Sequence, residues 1–181
     1  MVTVAAQLNC CVMMGNLHQA AYHADIEQVL ELLDAGDDPN EYDQTGYTPL
    51  LWAAFRGAVG NQLPVILALI SAGADVNAVT RAGDSSVLML AVQAGSDVLV
   101  RALVERGAEV DRAADEVTPL MLAARIGDAR IVRTLLELGA DPAVRAGKFT
   151  AADYAWHGGY EPLAEFLEAC AGTPPANDQS S

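Results

Sequence analysis

Between residues 15 and 170 the apolar positions fall into short helical runs, two to a unit, punctuated by glycine. Thr118–Gly139, TPLMLAARIGDARIVRTLLELG, carries the pattern most fully. Thr118 can N-cap a helix, and Pro119 suits the first turn, where its missing N–H leaves nothing unpaired. Leu120, Leu122 and Ala123 give that helix one apolar side, and the small Ala123 and Ala124 let a neighbouring backbone come close. Gly127 predicts its end, because glycine takes the positive φ of a helix stop without strain. A second helix follows, with Ile131, Val132, Leu135 and Leu136 at helical spacing and Gly139 as its stop. Two such helices cannot bury both apolar faces alone, so the unit requires neighbours.

The chain supplies them. The helix start recurs as TPLLWAA at 48–54, SVLMLAV at 86–92 and TAADYAW at 150–156, with a degenerate GNLHQAA at 15–21. The second stop recurs at Gly36, Gly73, Gly107 and Gly139, spaced 37, 34 and 32 residues apart. Self-similarity at that period predicts an all-α stacked array with one continuous core. The units fall at about 15–47, 48–85, 86–117, 118–149 and 150–170. An N-terminal cap segment precedes them at 1–14, and a polar tail without periodicity, expected to be disordered, follows at 171–181.

Within the first unit a short helix around Leu17–Tyr22 precedes a longer one at Ile26–Leu33, which Asp25 can cap. The loop AGDDPNEYDQTGY then places Asp37, Asp38, Glu41 and Asp43 beside Tyr42 and Tyr47 in what reads as an acidic, aromatic finger. The second unit carries about four extra residues between its helices, around AVGNQLP. In the last helix, Tyr160–Ala169, Leu163, Phe166 and Leu167 are expected to face inward. Glu161, Glu165 and Glu168 form the wettable outer side that a terminal repeat requires.

TPL-x-x-AA, a glycine, an apolar helix and GAD-[VP]-N resemble the ankyrin repeat, over nearly the whole of residues 15–170. The resemblance implies a solenoid of about five helix-turn-helix units with projecting finger loops. Three departures stand out: Leu51, Met89 and Met121 replace the usual histidine, so its structural hydrogen bond is expected to be missing from those units; Ser86-Val87 replaces Thr-Pro; and Ala151 replaces the proline. His18 occupies the histidine position of the first unit, which implies a local hydrogen-bonding role. The resemblance also implies that partners lie along a concave face lined by finger tips and by the ends of the first helices. Carried over position by position, that face takes in Tyr22 and His23, then Gln44, Thr45, Tyr47, Phe55 and Arg56. Gln93 and Ala94 follow, then Val117, Arg125 and Ile126, and finally Phe149 and His157. Trp52 replaces a buried leucine of the pattern and is expected in the core.

Charge narrows the choice of partner. The net charge is −14, and no Lys or Arg precedes Arg56, so the first 55 residues hold eight acids unopposed. Such a field repels phosphate backbones and anionic lipid, which argues against nucleic acid and membrane, and it favours a basic protein. A soluble surface explains the same acids without a partner. No apolar run reaches membrane-spanning length. The cysteines Cys10, Cys11 and Cys170 are odd in number and fit a reducing, cytoplasmic compartment. The uncharged start shows neither a basic region nor a clear cleavage site; an export signal there is the other reading. A single lysine, Lys148, against nine arginines points to a GC-rich, bacterial source.

No HExxH, CxxC, phosphate-loop or nucleophile-elbow pattern occurs, and His18 and His23, five residues apart, have the wrong spacing for one metal. No catalytic residue, metal or cofactor is therefore expected. The function that follows is a monomeric, non-catalytic module binding a basic protein on its concave face. By analogy with small stand-alone bacterial arrays, its roles include inhibition, as an immunity protein of a toxin, or chaperoning. A regulatory or scaffold subunit recruiting substrates to an enzyme complex is one alternative. A thiol-based redox protein using Cys10 and Cys11 is another.

Overall fold

The computed structural model describes residues 15–57 and 61–172. The expected cap at 1–14 with Cys10 and Cys11, residues 58–60 of the inserted turn, and residues 173–181 of the tail lie outside the described residues. Four of the five inner helices begin where a hydroxyl side chain caps them, whereas the first follows Gly15, which offers no side-chain cap. Thr48 Oγ1 accepts from Leu51 N at 3.3 Å, Ser86 Oγ from Met89 N at 3.2 Å, and Thr118 Oγ1 from Met121 N at 3.3 Å. Thr150 Oγ1 accepts from Asp153 N at 3.4 Å. These caps open α3 (Pro49–Phe55), α5 (Val87–Gln93), α7 (Pro119–Ile126) and α9 (Ala151–His157), and α1 (Asn16–His23) completes the inner row. The outer row is α2 (Ile26–Asp34), α4 (Gln62–Ser71), α6 (Asp97–Glu105), α8 (Ala129–Glu137) and α10 (Glu161–Ala171). Asp25, Ser96 and Asp128 cap three of these.

The ten helices of the described residues form five antiparallel pairs, and each inner helix packs on the next. Leu50, Leu51, Ile66, Leu69, Leu88, Leu103, Leu120, Met121, Leu122, Ile131 and Leu135 are fully buried between the rows. Ala53, Ala91 and Ala123 show no exposed surface, and their lack of bulk is what allows adjacent inner helices to approach. Between α3 and α4 the connection runs from residue 56 to 61, against two residues between α7 and α8. Pro64 lies in the first turn of α4, and Gly60 is outside the described residues.

Successive units join through hairpin fingers and side-chain amides. Antiparallel bridges pair Val79 with Ser86, Ala114 with Val117 and Ala146 with Phe149, while the first finger closes through Asp43 N–H donating to Tyr47 O at 2.9 Å. Asn40 Nδ2 donates to Gly73 O at 2.9 Å, and its Oδ1 accepts from Asp75 N at 2.7 Å. Asn77 repeats both bonds one unit on, to Gly107 O at 3.2 Å and from Glu109 N at 2.9 Å. Asp111 holds the third rung, accepting from Asp141 N at 3.2 Å.

Two expectations need correction. Phe166 is 39% exposed rather than inward. At about 100° per residue it lies well off the centre of the stripe formed by the buried Leu163, Ala164 and Leu167, and the Arg133 guanidinium sits 6.0 Å from its ring centre. The histidine-less units are not all without the corresponding bond. In the fourth, Met121 Sδ accepts from Thr118 N at 3.5 Å, and in the fifth Asp153 Oδ2 accepts from Thr150 N at 2.7 Å. Trp52 is buried as expected, at 6% exposure, and packs within the aromatic cluster described below.

Candidate partner-binding surface

Repetition fixes which side chains share the inner face. The third residue after each helix-opening Pro, Val or Ala, and the residue before each capping hydroxyl, recur in register. In the second unit these positions hold Trp52 and Tyr47, and in the fifth Tyr154 and Phe149. Both pairs are aromatic, and each seeds a cluster near one end of the face.

At the amino-terminal end, Tyr47 stacks on Trp52 with ring centres 4.5 Å apart and 26° between planes. Tyr22 and Phe55 meet the indole edge-on at 5.4 and 5.8 Å, and His23 meets Tyr22 at 5.0 Å. Such arrangements match the ring quadrupoles and fix the rings in place. Arg56 closes the group, its guanidinium 4.6 Å from the Tyr22 ring centre. Phe55 is 47% exposed, the apolar member most available to a partner.

Beneath this cluster lies Asp43, and here the sequence reading is corrected. Expected as part of the exposed acidic finger, Asp43 is only 7% exposed. Its Oδ1 accepts from Thr45 Oγ1 at 2.6 Å, Thr45 N at 2.9 Å and Tyr47 N at 3.0 Å, and its Oδ2 accepts from Trp52 Nε1 at 2.8 Å. The carboxylate turns inward because four donors of its own turn and of α3 converge on it. Burial raises its pKa, but the hydrogen bonds from Thr45, Trp52 and Tyr47, with the charge of His18, outweigh that and hold it below the ordinary aspartate value. Tyr42 is likewise committed to structure: half-buried, it donates its hydroxyl to Val79 O at 2.8 Å, and Arg81 lies 5.3 Å over its ring. Asp37, Asp38, Glu41 and Gln44 are exposed, and Asp38 Oδ1 also accepts from Asn40 N at 2.8 Å. His18 is buried and its Nε2 bonds the Glu41 carbonyl at 2.9 Å, so it braces the finger from within.

Midway along the face, Gln93, Arg125, Asp84, Ser85 and Asp115 share a hollow of about 160 Å³ with four apolar side chains. Arg125 also borders a second hollow of about 290 Å³, whose other walls are Phe149, Tyr154, His157 and Gly158. There Phe149 meets Tyr154 edge-on at 6.1 Å and His157 at 5.4 Å. His157 Nδ1 bonds the Asp153 carbonyl at 2.7 Å, which fixes the ring. Ile126, 42% exposed, lies beside Arg125 at the end of α7.

Sequence reasoning missed Tyr154 in this second cluster. The available signal was that it stands where Trp52 stands, at a position that Leu90 and Leu122 fill with aliphatic side chains in the other units. The expected residues therefore separate into Tyr22, His23, Tyr47, Phe55 and Arg56 at one end, Gln93 and Arg125 midway, and Phe149 with His157 at the other.

Among the described residues no helix is long and apolar enough to cross a membrane. Comparison with curated proteins finds Palmitoyltransferase AKR1 of Naumovozyma castellii, 43% identical over 72 residues, which are 39% of this chain and 9% of that protein. The chain thus spans less than a tenth of that relative. A family profile described as ankyrin repeats (3 copies) matches at residues 17–113, 58–146 and 88–173. Those matches run through all five helix pairs, and ankyrin repeats mark protein–protein interaction modules. The chain belongs to the ankyrin-repeat family.

Proposed function

We propose that this chain is a non-catalytic adaptor that docks a basic protein along its concave face and thereby inhibits or chaperones it. The observation that carries this reading is the aromatic platform around Trp52, held by the buried Asp43 carboxylate, with the exposed acids Asp37, Asp38 and Glu41 in the loop that also supplies Asp43 and Tyr47. A platform fixed before binding loses little ordering entropy on docking, and aromatic side chains are favoured anchors of interfaces. The acids accelerate encounter with a positive partner. Arg56 already occupies the Tyr22 ring, so the partner's basic groups meet the finger and its apolar groups meet the exposed Phe55. The module acts as a cytoplasmic monomer of bacterial origin, and immunity to a toxin is one role that fits it.

Affinity capture from native lysate, washed at low and high salt, supplies the partner. Replacing Asp37, Asp38 and Glu41 with lysine is then expected to slow association about tenfold at low salt and to flatten its salt dependence. An unchanged on-rate and salt slope would reduce the finger to a solubility device. A second reading, a module recruiting substrates to an enzyme assembly, draws on the 72-residue match to a palmitoyltransferase. Adding the purified chain to the partner's activity assay separates the two, since a recruiting module binds without inhibiting.

A further inference from the structure

The hollow bordered by Arg125, Phe149, Tyr154, His157 and Gly158 differs from the amino-terminal platform in being open, with a volume of about 290 Å³. That lies at the lower limit of small-molecule sites, so it suits one large side chain better than a cofactor-sized molecule. Its walls are aromatic, which selects a flat apolar occupant. Arg125 supplies the polar group. Its side chain is exposed and makes no ion pair or hydrogen bond among the described residues, in contrast to Arg101 and Arg130, which are paired with Glu137 and Asp97.

A free guanidinium at the rim of an aromatic box excludes a cationic occupant, which an aromatic box alone would attract. It offers a planar fork of donors that matches a carboxylate. A dianion is disfavoured, because Arg125 is the one full cation in the lining and the chain as a whole carries −14. We propose that this pocket receives an aromatic side chain of the partner with a carboxylate beside it, presented as a carboxyl-terminal aromatic residue. The proposal rests on the concave-face reading and deepens it. A partner segment would run along the face with basic groups at the first finger and its terminal carboxylate at Arg125.

Isotope-labelled protein titrated with the pentapeptide Gly-Ser-Gly-Ser-Phe, as the free acid and as the amide, tests this by NMR. The free acid is expected to give saturable shifts at Phe149, Tyr154 and His157 and to bind about tenfold more tightly than the amide. Arg125→Gln should remove that difference by bringing the free acid to the affinity of the amide, and Phe149→Ala should weaken both peptides. Both side chains are exposed, and matching thermal unfolding would verify that the variants fold. Equal affinity for acid and amide, shifts elsewhere, or no saturation at about 20 mM would overturn the pocket assignment. A captured partner that depends on the finger acids but is indifferent to Arg125→Gln and Phe149→Ala would likewise remove the pocket while leaving the concave-face reading intact.

Discussion

Asp43 shows how one side chain can exchange a surface role for an internal one. Four donors surround its carboxylate, and an asparagine there could keep the acceptor oxygen but would present N–H groups to Trp52 or to Thr45 and Tyr47. Asp43→Asn is expected to cost about 2 kcal/mol in urea unfolding at pH 7. The pH dependence follows from the lowered pKa. Its stabilisation is fully present above the unfolded value of about 3.9 and is lost as pH falls through the lower folded value. The variant should therefore lose stability less steeply in acid than the parent. Gly127 and Gly139 offer a second contrast. Both have positive φ, 79° and 93°, but a Cβ on Gly139 would meet nothing within 4 Å, whereas one on Gly127 would meet the Tyr160 ring at 2.3 Å. Gly139→Ala should cost about 1 kcal/mol of backbone strain, and Gly127→Ala at least about 2 kcal/mol, since the ring must also move. Equal losses in thermal unfolding would show that Tyr160 yields freely.

Between elements, the amide ladder on the fingers is the most regular device, and its third rung is altered. Asn40 and Asn77 each donate to a glycine carbonyl and accept from a backbone N–H of the next unit. Asp111, when ionised, can only accept, so the register leaves Gly139 O without that donor. Burial raises the Asp111 pKa; the hydrogen bond from Asp141 N lowers it, and the Asp141 charge raises it further, with a net upward shift. A raised aspartate pKa is a cost of folding present at neutral pH, and it vanishes once pH falls below the unfolded value of about 3.9. Asp111→Asn is expected to stabilise the array by roughly 1 kcal/mol at pH 7, with the gain fading below about pH 4. A loss of stability at neutral pH would overturn this account.

Elements were the most legible scale in the sequence. Hydroxyl caps at Thr48, Ser86, Thr118 and Thr150 start helices for local reasons, so they can be read without knowing the fold. What could not be read depended on contacts distant in sequence. Asp43 was misassigned because one acid among several in a loop becomes internal only through Trp52, nine residues later. Phe166 was misassigned because an aromatic on the margin of an apolar stripe is placed by what stacks above it, and among the described residues no further unit does. Tyr154 was passed over because its position, aliphatic in the neighbouring units, belongs to the core there.

Across the whole molecule, the main contacts between units among the described residues run from each unit to the next, α1 with α3, α3 with α5 and so on to α9. Such an array melts by fraying from its less stable end when coupling between units is weak, and as one body when it is strong. The chain holds two tryptophans, and they stand in the second and the fifth unit. Trp52 is sealed against Tyr47, while Trp156 is 42% exposed and donates only to the Glu168 carboxylate, 3.0 Å away. Each end of the solenoid thus carries its own fluorophore, distinguishable by emission wavelength and by access to iodide. Trp156→Phe and Trp52→Phe would isolate the two signals, and midpoints in urea that differ between them would show fraying from one end. Coincident midpoints would show a single cooperative block. The aromatic that fixes the candidate docking platform is, by the same placement, a built-in optical reporter of whether that platform is folded and occupied.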